Sequence, residues 1–108
     1  MRSQPTFELT VIICAHNPNA DRLSRVLESL GKQTLSSHSW NLVLIDNASQ
    51  PPIREDQIPR VLVDRSRIVR ELQVGLSAAR FRGFCESSAE FMVLVDDDNV
   101  LSPNYLAE

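Results

Sequence analysis

Asp96, Asp97 and Asp98 stand side by side at the end of the apolar run Phe91-Met92-Val93-Leu94-Val95. Adjacent carboxylates repel one another, and each is better hydrated than buried. A divalent cation held by hard oxygen ligands relieves that repulsion; a solvated acidic turn is the other way out. The continuous apolar run before them is the pattern of a strand covered on both faces. Two further apolar runs end in polar residues: Leu9 to Ala15 leads into His16-Asn17, and Leu42 to Ile45 leads into Asp46-Asn47-Ala48-Ser49. In a parallel sheet consecutive strand ends share one edge, so the three segments are expected to line one crevice. Such a crevice suits a nucleoside diphosphate. A carboxylate accepts the imide N–H of a pyrimidine, a planar side chain packs on the ring, and a cation neutralises the phosphates.

The elements that must hold these residues follow from periodicity. Leu23, Val26, Leu27 and Leu30 fall on one face of a helix that starts after the turn Asn17 to Asp21, with Gly31 as its stop. The Pro-rich stretch Ser49 to Pro59 reads as a loop with room for one short helical turn. Val61-Leu62-Val63 is a strand candidate, and Ile68 to Leu72 a weaker one. A helix from Leu76 to about Ser87 is expected to bury Leu76, Ala79, Gly83 and Phe84. Strands alternating with helices give an α/β class, a three-layer α/β/α arrangement around a mainly parallel sheet. Ser102-Pro103 opens one more helix, which stops after about one turn, too short to be stable alone. The chain is therefore expected to be the N-terminal part of a longer protein.

Composition narrows the function classes. The 108 residues suit one domain, and a hydrophobic share of 43% argues against disorder. A net charge of −3 without a basic block argues against nucleic acid as a partner, and Arg65, Arg67 and Arg70 read as a solvated face. No apolar run approaches a membrane span, and no long apolar core follows Met1 to Pro5 as a signal peptide requires. Cys14 and Cys85 read as reduced, buried thiols of an intracellular protein. His16 and His38 are too isolated for zinc, and Ser49 and Ser77 lack a histidine partner for hydrolysis.

The order of these blocks resembles the inverting family 2 glycosyltransferases, which have the GT-A fold. Val11-Ile12-Ile13-Cys14-Ala15-His16-Asn17 looks like that family's opening strand, usually Val-Ile-Ile-Pro-Thr-Tyr-Asn. Leu27-Glu28-Ser29-Leu30, Gln33-Thr34 and Leu44-Ile45-Asp46-Asn47-Ala48-Ser49 follow in order. Gly75-Leu76-Ser77-Ala78-Ala79-Arg80 matches a helix opening, and Asp96-Asp97-Asp98 stands where an Asp-x-Asp metal motif belongs. A lone Asp-x-Asp is a weak signal, whereas ordered blocks at family-like spacing from Leu9 to Leu106 are a strong one.

The resemblance implies roles for matching positions. Ala15 and His16 would flank the nucleobase beside Asn17, Asp46 would accept its imide N–H, and Arg80 would face the diphosphate. Asp96 and Asp97 would contact the ribose or support the metal, while Asp98 would bind Mn²⁺ or Mg²⁺. The implied reaction moves a sugar from a nucleotide-diphospho-sugar, a UDP-sugar by preference, to a saccharide or lipid-linked acceptor, as in cell-wall or polysaccharide synthesis. The catalytic base would lie beyond residue 108, so residues 1–108 are expected to be the donor-binding part, inactive alone and prone to self-association. The expected location is the cytoplasm, with the inner membrane face as the option for a longer protein. His16 replaces the usual Tyr, and Gln73 and Phe81 stand where the family often has Asn. Two other classes stay open: a metal-dependent nucleotidyltransferase, against which the Gly-free, cation-free segment His16 to Ala20 speaks, and a non-catalytic binding domain of the same fold.

Overall fold

The computed structural model describes residues 8–34, 39–87, 89, 91–96 and 106. Four parallel strands form the sheet: β1 (Leu9–Ala15), β2 (Trp40–Asn47), β3 (Ser66–Glu71) and β4 (Phe91–Asp96), in the spatial order β3-β2-β1-β4. Helix α1 (Ala20–Gly31) follows β1 and helix α2 (Leu76–Glu86) follows β3. Because strand side chains alternate between faces, each strand serves two cores. Val11, Ile13, Leu42, Leu44 and Val95 pack against Leu23, Val26, Leu27 and Leu30 of α1. Ile12, Val43, Ile45 and Val69 pack with Ala79 of α2 on the opposite face. The three-layer, mainly parallel α/β arrangement is thus present, and both central strands are buried on both faces.

Local chemistry explains the helix boundaries. Asn19 caps α1, its Oδ1 accepting from the Arg22 amide at 3.1 Å, and Asp21 adds a negative charge to the first turn. Gly31, expected as the stop, is the helix's last residue, and Lys32 occupies the cap. In α2, Gly83 packs directly over Ile12, so close that a Cβ would lie 2.6 Å from Ile12 Cγ2. That approach is what brings α2 onto β1.

Several expectations are corrected. Val61-Leu62-Val63 is not a strand but part of a 3₁₀ segment, Arg60–Arg65, entered from Pro59. Only Leu62 is buried, while Val61 and Val63 are 61% and 51% exposed. The third strand is instead the weaker candidate, at Ser66–Glu71. The loop after β2 does hold one short 3₁₀ turn, Glu55–Gln57. Helix α2 buries Ala79 and Gly83 but leaves Leu76 and Phe84 largely exposed. Strand β4 lies at the sheet's edge among the described residues, and Phe91, Met92 and Leu94 are exposed rather than covered on both faces. Cys85 is exposed and Cys14 half-buried, so neither is the fully buried thiol expected. The arginines do not share a solvated face. Arg65 lies 4.4 Å above the Trp40 ring, Arg67 pairs with Glu86 at 3.0 Å, and Arg70 pairs with Asp46 at 2.8 Å. His38 and the helix opening at Ser102 lie outside the described residues.

Candidate nucleotide-binding cleft

The carboxyl ends of β1 and β2 face a cleft of about 190 Å³. Ala15 and His16 form one side, Val74, Gly75 and Leu76 the other, and Cys14, Asn47 and Ala79 the floor. Its lining is mostly apolar, which suits a flat ring better than a charged group. The cleft lies on the α2 face of the sheet.

That placement decides which polar residues reach it. Asn47 follows Asp46 in β2, so the two side chains point to opposite faces. Asn47 lines the cleft; Asp46 does not. Asp46 is 1% exposed, and its oxygens accept from the amides of Ser49 (3.0 Å) and Ile53 (2.9 Å) and from Arg70 Nη1 (2.8 Å). Burial alone raises its pKa, but the Ile53 amide, the Ser49 hydroxyl and amide, and Arg70 outweigh it and hold the carboxyl below its ordinary value. In this structure the Asp46 carboxylate faces away from this cleft and organises the loop after β2.

Of the remaining site residues, Ala15 and His16 line the cleft, whereas Asn17 lines a separate hollow with Pro18, Gln50 and Ile53. Ala15 closes the cleft from β1, and its side chain is buried. His16 is exposed, and its Nδ1 donates to the Asn47 carbonyl oxygen at 2.5 Å. That fixes the ring as the Nδ1–H tautomer, leaving Nε2 to accept from Asn17 Nδ2 at 3.3 Å. Asn17, at φ 46°, links the two strand-end loops. Its amide donates to Ser49 Oγ at 2.9 Å, and its Oδ1 accepts from the Gln50 amide at 2.8 Å. Asn is among the residues that tolerate this left-handed backbone best.

Arg80 and Asp96 lie together in a smaller crevice next to the cleft, with Cys14 and Leu76 lining both spaces. Both charged side chains are exposed. A cation and a carboxylate at this edge form a polar margin to an apolar cleft. Asp97 and Asp98 lie outside the described residues, so the carboxylate triplet is represented here by Asp96 alone. Among the described residues no group of three or more metal-binding side chains comes together.

Sequence reasoning placed Asn47 in a segment expected to line the crevice but gave it no role, and it missed Val74 and Gly75 as lining residues. Asn47 carried a usable signal, since it sits two residues past Ile45, the strand's last buried apolar position, and so on the same face, opposite Asp46. Val74 and Gly75 carried none beyond the glycine, whose φ of 139° demands that residue.

A family model described as glycosyl transferase family 2 matches residues 10–108. The chain belongs to that family. No curated protein matches it. Among solved structures, TarS of S. aureus is 17% identical with a TM-score of 0.73, over 94% of this chain and 18% of that one. TarS 1–349 in complex with UDP gives the same identity and TM-score over 94% of this chain and 30% of that one. At this identity the likeness establishes the fold, that of the GT-A glycosyltransferases. The chain spans less than a third of the length of the structures it matches.

Proposed function

We propose that this family 2 chain binds a nucleotide-diphospho-sugar, a UDP-sugar by preference, and serves transfer of its sugar to an acceptor hydroxyl with inversion. The observation that carries the reading is the placement of an apolar, ring-sized cleft beside an exposed Arg80 and Asp96 at one sheet edge. A base enters between His16 and the Val74–Leu76 wall, and the diphosphate extends toward Arg80. The guanidinium there offers charge-assisted hydrogen bonds to phosphate oxygens. In the reaction the acceptor oxygen bonds to the anomeric carbon as the bond from that carbon to the distal phosphate's oxygen breaks, the hydroxyl proton passes to a base, and Arg80 offsets charge gathering on the departing nucleoside diphosphate.

Asp96 supplies hard oxygen, the donor type that Mg²⁺ and Mn²⁺ prefer, and stands at the crevice that Arg80 shares. Asp96 and Asp98 are the residues proposed to hold such an ion, with Asp97 at the ribose. A bound divalent ion would supply further charge neutralisation at the diphosphate. The acceptor is proposed to be a saccharide or a lipid-linked sugar. None of the residues assigned here is a base for its hydroxyl, so donor binding is the activity expected of these 108 residues. No helix among the described residues is long and apolar enough to cross a membrane.

Calorimetric titration of UDP, with and without Mn²⁺, tests the reading. Binding that strengthens with Mn²⁺, and loses that increment in Asp98→Asn and Asp96→Asn, is the expected result. Equal binding without the ion removes the metal from the proposal. No binding of UDP, GDP or CDP under any condition removes the nucleotide.

A further inference from the structure

Asn47 joins both walls of the cleft through different parts of one residue. Its backbone carbonyl accepts from His16 Nδ1 on the β1 side at 2.5 Å. Its side chain reaches the other way. Nδ2 donates to the carbonyl oxygens of Glu71 at 3.1 Å and Gln73 at 2.8 Å, while Oδ1 accepts from the Gly75 amide at 3.0 Å. Asn47 is 4% exposed, so these bonds face little competition from water. The segment it holds has little other anchorage in apolar packing, because Leu72, Val74 and Leu76 are 71%, 65% and 54% exposed. That segment also contains Gly75, whose φ of 139° departs from any regular element.

We propose that Asn47 is a positioning residue for the nucleotide: it sets the separation between His16 and the Val74–Leu76 wall, and so the size of ring the cleft admits. This rests on the reading of the cleft as a nucleotide-diphosphate site. An amide is the side chain this task needs. It presents two donors to two carbonyls and one acceptor to an N–H, a combination that neither a carboxylate nor a hydroxyl offers. With the amide committed to the backbone, Asn47 acts on a ligand through the wall it holds.

The test uses Asn47→Ala, with Asn47→Ser as the second variant should the first fold poorly. Amide hydrogen exchange, UDP and GDP affinities and thermal melting are measured on each. Loss of the clamp is expected to raise exchange at Gly75 on the order of tenfold, with the centre of β1 unchanged. UDP affinity is expected to fall by a similar factor and the UDP-to-GDP ratio to move toward unity, because a released wall no longer selects ring size. A merely structural role would speed exchange throughout and leave that ratio where it was, and this result would overturn the proposal. So would unchanged exchange at Gly75. If the wild-type chain binds no nucleotide while Gly75 exchange still rises in the variants, the clamp stands as a holder of the wall, and the nucleotide reading is what fails.

Discussion

Arg70 and Asp46 are register partners on neighbouring parallel strands, and the guanidinium of one lies 2.8 Å from the carboxylate of the other. In-register residues project from the same face, so the pair follows from the pairing of β3 with β2. It sits on the face opposite the cleft, where Asp46 also gathers the amides of Ser49 and Ile53. Ser49 Oγ in turn accepts from the Asn17 amide. A buried carboxylate thus anchors the loop that Asn17 and His16 lean on.

This anchor predicts an acid-sensitive fold. Asp46 is held below its ordinary value in the folded chain. Its stabilisation is fully present above the unfolded value of about 3.9 and is lost as pH falls through the folded value. Asp46→Ala is expected to cost about 2–4 kcal/mol at neutral pH, mainly from the buried amides left without an acceptor. Arg70→Met should cost less, since the Asp46 carboxylate then still accepts from the Ser49 and Ile53 amides. Urea midpoints from pH 7 to 2 check the sign: Asp46→Asn should flatten the acid limb. Some slope should remain, because Arg82 and Arg67 also hold Glu86 below its ordinary value.

The glycines at 31 and 83 make a paired prediction. A Cβ at Gly83 meets Ile12 Cγ2 at 2.6 Å in the core between α2 and β1, so Gly83→Ala is expected to lose about 1–3 kcal/mol despite better helix propensity. A Cβ at Gly31 meets Val61 Cγ1 at 2.8 Å, but Val61 is 61% exposed and can turn away. Gly31→Ala should therefore be neutral or stabilising by up to about 1 kcal/mol. Opposite signs in chemical denaturation would bear this out. Combining Gly83→Ala with Ile12→Ala should cost less than the two single changes added together.

How much of this was legible beforehand depends on which signal each residue carried. The apolar runs of β1 and β2 and the Leu23-Val26-Leu27-Leu30 stripe named the central strands and α1, because period and burial agree there. Val61-Leu62-Val63 misled because three β-branched or aliphatic residues read as a strand whether or not all are buried. Arg65 looked solvated because a charged side chain in sequence gives no sign of a Trp40 ring beneath it, where burial lowers its pKa. Asp46 illustrates the limit most directly. Alternation tells that Asp46 and Asn47 face opposite ways, but only the packing of α2 tells which face holds the cleft.

Arg80 offers a test of how a donor lies in the site. It is exposed on α2 beside Asp96, and makes no ion pair among the described residues. A base in the cleft would not reach it, whereas a diphosphate leading out of the cleft would. Arg80→Ala is expected to weaken UDP binding about tenfold while leaving uridine binding unchanged, since a charge-assisted bond is lost only with phosphate present. Equal losses for UDP and uridine would place Arg80 at the base or in the fold instead.

The last prediction concerns the face that β4 presents. Met92 and Leu94 pair in register with Thr10 and Ile12, so they project on the α2 side of the sheet. They are 45% and 42% exposed there, and Phe91, Phe81 and Phe84 are exposed as well. One edge of β4 is unpaired among the described residues, and no lysine or proline along Phe91–Asp96 discourages pairing with another strand. Exposed apolar surface beside an open strand edge favours association in water. The 108-residue chain is therefore expected to self-associate as its concentration rises, read by light scattering or sedimentation. Leu94→Lys should lower that tendency with little change in melting temperature, because the side chain is only partly buried to begin with. A chain that stays monomeric throughout, or a Leu94→Lys variant that associates as before, would show that this face is not what brings copies together.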